Sequence, residues 1–178
     1  MCLRANPKGP IQRMKPDIED GAVRPQRRRR SIAMTPDEVD TFLSGQRTCR
    51  VATVTRSGQP HVTPLWFGWD GTSLWLYSIT DSQRWSDLSH GSQVAVVIDD
   101  GDHYGELRGV EILGTAAVVG EVPRRGIVHP ELAEPERLFS EKYFRADEFS
   151  YDGRHGWLRI TPAILRSWDF RKIRTAKH

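Results

Sequence analysis

The hydrophobic period of this chain changes at Arg47, and that change limits the fold more than any other feature. Before it, Val39, Phe42 and Leu43 fall at i, i+3 and i+4, the stripe of a short amphipathic helix. Thr35 can cap that helix, Pro36 suits its first position, Glu38 can close a capping box, and Gly45 can end it. After Arg47 the period is two. Val51, Thr53 and Thr55 alternate with Ala52 and Val54, and Ser57-Gly58 makes a hairpin turn. A second strand is expected over residues 60–69, closed by Asp70-Gly71. A third covers 73–79, with Leu74, Leu76 and Ile79 read as one set and Trp75 and Tyr77 as the other.

The rest of the chain continues this pattern. Residues 81–89 read as a short helix capped by Asp81 or Ser82, and 93–98 as a buried, almost wholly apolar strand. Residues 108–119 read as a long strand with bends or bulges at Gly109 and Gly114. Residues 130–144 look helical, 145–154 form a polar loop, and 157–161 and 164–170 are two closing strands broken by Pro162. The expected fold is mainly β: six or seven short antiparallel strands with two or three short helices. Tight turns between short strands favour a barrel.

With 178 residues, the chain is long enough for one domain with a real core. Its net charge of +3 is unevenly placed. Residues 1–33 carry nine Lys+Arg against three acids, whereas the remainder carries 17 against 20. Residues 1–33, with Arg27 to Arg30 in a row, read as a disordered leader, and Met34 can serve as a start. The domain is expected over 34–172, with a short tail at 173–178. Its negative balance argues against a nucleic-acid partner. No apolar run approaches the roughly 20 residues needed to cross a bilayer. The N-terminus lacks the apolar stretch of a secretory leader. With Cys2 and Cys49 its only cysteines, the chain suits the cytoplasm.

The chemistry concentrates in residues 51–100. Thr80-Asp81-Ser82-Gln83-Arg84-Trp85 opens the short helix. Exposed N–H groups at a helix start attract anions. The guanidinium of Arg84 and the hydroxyls of Ser82 and Thr80 could complete a phosphate cradle. The plainer alternative is that Ser82 only caps the helix and Arg84 is a surface charge. Among the tryptophans, Trp66, Trp69, Trp75 and Trp85 cluster near this segment, as a stacking wall or as core. His61 could act as an acid or merely pack. The histidines show no metal-ligand spacing, and His90, His103 and His129 are the ones a haem could use. Asp99-Asp100-Gly101-Asp102 lacks the later ligands of a calcium loop and reads as a turn.

Several segments, in order, resemble the pyridoxamine 5'-phosphate oxidase-like FMN-binding split-barrel family. "SGQPHVTPLWF" is similar to its second strand, "SQRWSDL" to the helix that grips the cofactor phosphate, and "GSQVAVVID" to the strand after it. "GVEILGTAAVV" and "GWLRITPAILRSWDF" are similar to its later strands. The resemblance covers about residues 35–170. It implies a homodimeric Greek-key split barrel with the cofactor at the subunit interface. The ring would lie along His61, Val62, Thr63, Pro64 and Leu65 and along Tyr77, Ser78, Ile79 and Thr80. The phosphate would fall to Ser82 and Arg84, with Trp85 alongside and Trp168 reaching over from the partner. The second strand lacks the Arg of the vitamin B6 enzymes, and Arg159-Ile160-Thr161-Pro162 only faintly matches their C-terminal signature. The implied activity is hydride transfer between reduced deazaflavin coenzyme F-420 and a small unsaturated molecule. FMN-dependent reductase or oxidase chemistry and a non-enzymatic flavin or tetrapyrrole carrier are the alternatives.

Overall fold

Residues 30–146 and 148–175 are described by a computed structural model. Helix α1 (Pro36–Gly45) carries the expected capping box at Thr35 and Glu38 and buries Val39, Phe42 and Leu43. Strands follow at β1 (Cys49–Val54), β2 (Pro60–Leu65), β3 (Gly68–Trp69) and β4 (Leu74–Ile79), then helix α2 (Gln83–His90). Strands β5 (Gln93–Asp100) and β6 (Arg108–Val119) precede helix α3 (Ala133–Phe139), which runs into a π-helical turn at Ser140–Phe144. Strand β7 (His155–Asp169) and helix α4 (Arg171–Thr175) are the last described elements. No helix among the described residues is long and apolar enough to cross a membrane.

All strand pairs are antiparallel in one seven-stranded sheet of order β2-β1-β5-β6-β7-β4-β3. The sheet curls around a core that includes Cys49, Val51, Leu74, Leu76, Val96, Ile98, Val110, Ile112, Leu158 and Ile160. Curling brings β2, at one end, towards β4, near the other, without a main-chain ladder between them. The result is a split barrel. A second, mostly aromatic cluster of Trp75, Val119, Leu132, Phe139 and Trp157 packs α3 against the outside of β4 and β7.

The structure redraws several sequence boundaries. The expected strand over 60–69 is two strands, because Trp66 and Phe67 carry the chain across the gap from β2 to β3. The two expected closing strands are one, β7. Pro162 stays within it because a bulge leaves Ala163 unpaired between Leu113↔Ile164 and Gly114↔Pro162. Parity places Ser78, not Ile79, on the core face with Leu74 and Leu76: Ser78 is buried and Ile79 is exposed. Residues Arg30–Ile32, assigned to the leader by sequence, form a 3-10 turn with Ile32 buried. Lys172 anchors this segment by donating to the Ala33 carbonyl, and α4 takes in residues 173–175, given to the tail by sequence. The remainder of the leader, with Cys2, lies outside the described residues.

Candidate functional site

The site is built where the two ends of the sheet meet. Ser82 caps α2, accepting from the Trp85 N–H at 3.2 Å and donating to the Ile79 carbonyl at 2.7 Å. Both its hydrogen-bonding roles are thus used locally. Thr80 is likewise engaged, its N–H and hydroxyl both donating to the Arg154 carbonyl. Arg84 turns inward instead and is only 5% exposed. Its Nε and Nη2 donate to Ser78 Oγ on β4 at 3.3 and 3.0 Å, and its Nη1 donates to Thr63 Oγ1 on β2 at 2.5 Å. The surface-charge alternative therefore fails for Arg84, while the cap alternative holds for Ser82.

Among the described residues no carboxylate pairs with this guanidinium. Burial pushes its pKa below the usual arginine value. Its N–H groups outnumber the three bonds it makes, so donors remain for a further acceptor. Burying a cation is costly unless it is paired. A ligand anion entering the gap would relieve that cost.

One turn along α2, Asp87 is also buried and faces the same way. It accepts from Thr53 Oγ1 at 2.6 Å and Gln83 Nε2 at 2.7 Å, and its Oδ2 lies 3.6 Å from Nδ1 of His61. Helix α2 thus sets Arg84 against Thr63 and Asp87 against His61, two alternate residues on one face of β2. Sequence reasoning missed Asp87 and Thr53. The i, i+3 spacing of Arg84 and Asp87 in an amphipathic helix was the available signal.

The remaining predicted residues divide. Leu65 packs on the core, whereas Val62 and Pro64 point away from it and are exposed. As an end strand, β2 pairs only with β1, so its far edge presents main-chain N–H and C=O groups unpaired by strand neighbours. Tyr77 turns into the aromatic cluster, stacked on His155 at 4.7 Å, and burial raises its phenol to about 12. Trp85 packs against Gly156, where a Cβ would come within 2.7 Å of its ring, so its position is a packing one. Trp168 lies over Gly109 on the outer face of the sheet, away from Arg84 of its own chain. Trp66 is 45% exposed and stacks on Tyr143 at 4.5 Å. No group of three potential metal ligands is present among the described residues. A separate cavity of about 400 Å³ beside α1 has its arginines paired, Arg108 with Asp100 and Arg171 with Asp169.

Similarity to known proteins agrees with this architecture. Residues 35–169 match the family described as Pyridoxamine 5'-phosphate oxidase. A conserved hypothetical protein of Mycobacterium tuberculosis, Rv2991, is 30% identical, with 83% of this chain and 92% of that one covered at a TM-score of 0.69. A protein described as an F420 reductase is 21% identical, over 71% of this chain and 94% of that one, at a TM-score of 0.52. The heme storage protein HutZ of Vibrio cholerae is 15% identical, over 71% and 88%, at a TM-score of 0.57. Among curated proteins none matches at a significant level. The matched span takes in every strand of the curled sheet, and the chain belongs to the pyridoxamine 5'-phosphate oxidase-like split-barrel family.

Proposed function

We propose that this protein binds a flavin-type cofactor in the gap between β2 and β4 and works as an oxidoreductase on a small unsaturated molecule. One observation carries the reading: Arg84 is a buried guanidinium whose hydrogen-bond partners are two hydroxyls. A ligand phosphate supplies the charge that this site lacks. The edge of β2 offers main-chain groups for the polar rim of a planar ring, and the cofactor would supply hydride transfer when bound. The protein's own part is to hold the phosphate, orient the ring and keep the gap partly dry.

Deazaflavin F-420 is the preferred cofactor and FMN the alternative. Thr63 gives the phosphate a hydroxyl where a second cation could stand, leaving one guanidinium in the grip. The likeness to an F420 reductase points the same way. A homodimer fits the outer sheet face, where Val54 and Val62 are exposed and Trp168 sits away from its own Arg84. A second copy packed there could bring Trp168 to the neighbouring site.

Titration of the purified chain with F-420 and with FMN tests the reading. Saturable binding of either, weakened by about ten- to a hundredfold in Arg84→Ala, is the expected result. Binding unaffected by that substitution removes Arg84 from the site. Cofactor binding without turnover of any reduced cofactor turns the reading to a carrier.

A further inference from the structure

At the point where the chain leaves β2 and crosses the gap, Trp66 presents an aromatic face that is fixed before any ligand arrives. Its indole lies parallel to Tyr143, with centroids 4.5 Å apart and planes 7° apart. Phe144 meets its edge at 6.3 Å and 65°. Tyr143 cannot swing away, because its hydroxyl accepts from the Phe67 N–H at 3.0 Å and lies 2.8 Å from the carbonyl oxygens of Phe67 and Arg47. The π-helical turn Ser140–Phe144 sets two consecutive rings, Tyr143 and Phe144, against one indole. Such turns are frequent at functional sites. Even so, Trp66 and Phe144 are each 45% exposed.

Two cations rest against the rings behind this platform. The Arg47 guanidinium lies 4.9 Å from the centre of the Tyr143 ring, and the Lys142 ammonium 5.6 Å from it and 4.0 Å from that of Phe67. Arg47 donates to the Lys142 carbonyl, and Lys142 donates to the Leu43 carbonyl. Neither cation has a carboxylate partner among the described residues. Trp66 lies three residues from Thr63, about 10 Å along an extended strand. The platform is thus beyond the anion grip of Arg84, at the other end of the same stretch of chain.

We infer that Trp66 is a stacking subsite for a planar aromatic anion, such as an aromatic carboxylate, that serves as the substrate of the proposed reaction. The inference names the substrate class for that site and rests on the reading above, but the subsite can be tested without the cofactor. A ring laid on Trp66 gains an offset-stacked partner at no ordering cost to the protein. Its carboxylate gains from the field of Arg47 and Lys142, which rest on the Tyr143 and Phe67 rings behind the indole, a long-range attraction that salt screens.

The full chain is titrated with 2-naphthoate and, separately, with 2-naphthamide, following tryptophan fluorescence and heat. Naphthoate is expected to bind about threefold or more tighter than the amide at low salt, a preference that shrinks at high salt. Trp66→Leu should weaken both probes about tenfold, and Trp66→Phe should keep most of the binding. Arg47→Gln should shrink the preference while leaving amide binding unchanged. Arg84→Ala should leave naphthoate binding intact even though it weakens the cofactor, so failure of one reading is distinct from failure of the other. Equal binding of the two probes, binding unchanged in Trp66→Leu, or displacement of naphthoate by saturating FMN or F-420 would each overturn the inference.

Discussion

Arg84 on α2 and Thr63 on β2 are joined at 2.5 Å across the gap between two ends of one sheet. Ser78 on β4 accepts from the same guanidinium, so a single side chain spans the split where main-chain pairing is absent. The bridge is built from a buried cation and two neutral acceptors, and that charge imbalance is what makes the gap a place for an anion.

Replacing Arg84 with methionine should separate stability from binding. The substitution removes a buried charge that has no carboxylate partner among the described residues and keeps an unbranched side chain, so the cofactor-free protein should lose no thermal stability and is expected to gain a few degrees. The upward shift in melting temperature on adding the cofactor should vanish. Paired thermal melts of both proteins with and without F-420 or FMN measure this.

Glu136 should be far less tolerant. It accepts from Arg124 Nε at 2.6 Å, Arg124 Nη2 at 3.2 Å, the Tyr151 hydroxyl at 2.9 Å and the Trp157 indole at 3.1 Å. Both it and Arg124 are buried. Glu136→Ala strips Arg124 of its main buried acceptor and should cost about 3–5 kcal/mol, read as a lower urea midpoint.

A methyl group at Gly109 has no room. A Cβ there would lie 2.4 Å from the Trp168 ring and 2.8 Å from the Ile98 carbonyl oxygen. Gly109→Ala should cost about 1–3 kcal/mol and displace Trp168. If Trp168 serves a second copy's site, sedimentation should show weaker dimerisation and titration weaker cofactor binding in the same variant.

Stability should fall on the alkaline side. Burial raises the Cys49 thiol from 9.0 to about 12 and the Tyr77 phenol from 10.0 to about 12, and it raises Tyr143 as well. Between the unfolded and folded values the native state holds protons that the unfolded chain releases, so each group removes stability as pH rises. Lys142 acts oppositely. Burial lowers it from 10.5 to about 8, so the unfolded chain holds the extra proton and stability rises with pH between those values. The expected profile rises from pH 8 to 9, where Lys142 alone of these groups titrates, levels from 9 to 10 as Cys49 opposes it, and descends above pH 10, where the two phenols join Cys49. Tyr77→Phe should make that descent shallower in urea titrations across the range.

Much of the site was written locally. The cap at Ser82, the helix behind it and the basic residue in its first turn follow from near neighbours, because capping and helical spacing are short-range. The alternation in β1 and β4 likewise marked which side chains face inward, once parity was kept through Ser78. The break at Trp66 and the partners that Thr63 and Asp87 meet carried no comparable local mark. Their roles depend on which strands come to lie opposite α2.

The sequence by itself determined the order of the strands, the position of α2 and the presence of a lone guanidinium at its start, since each rests on contacts between residues a few places apart. Only the tertiary structure decided that this guanidinium is buried between Thr63 and Ser78, that Tyr77 turns into an aromatic cluster, and that Trp66 stays exposed on Tyr143. Those outcomes are set when a curled sheet brings its two ends together, and no pattern within one strand encodes the partner it meets across that gap.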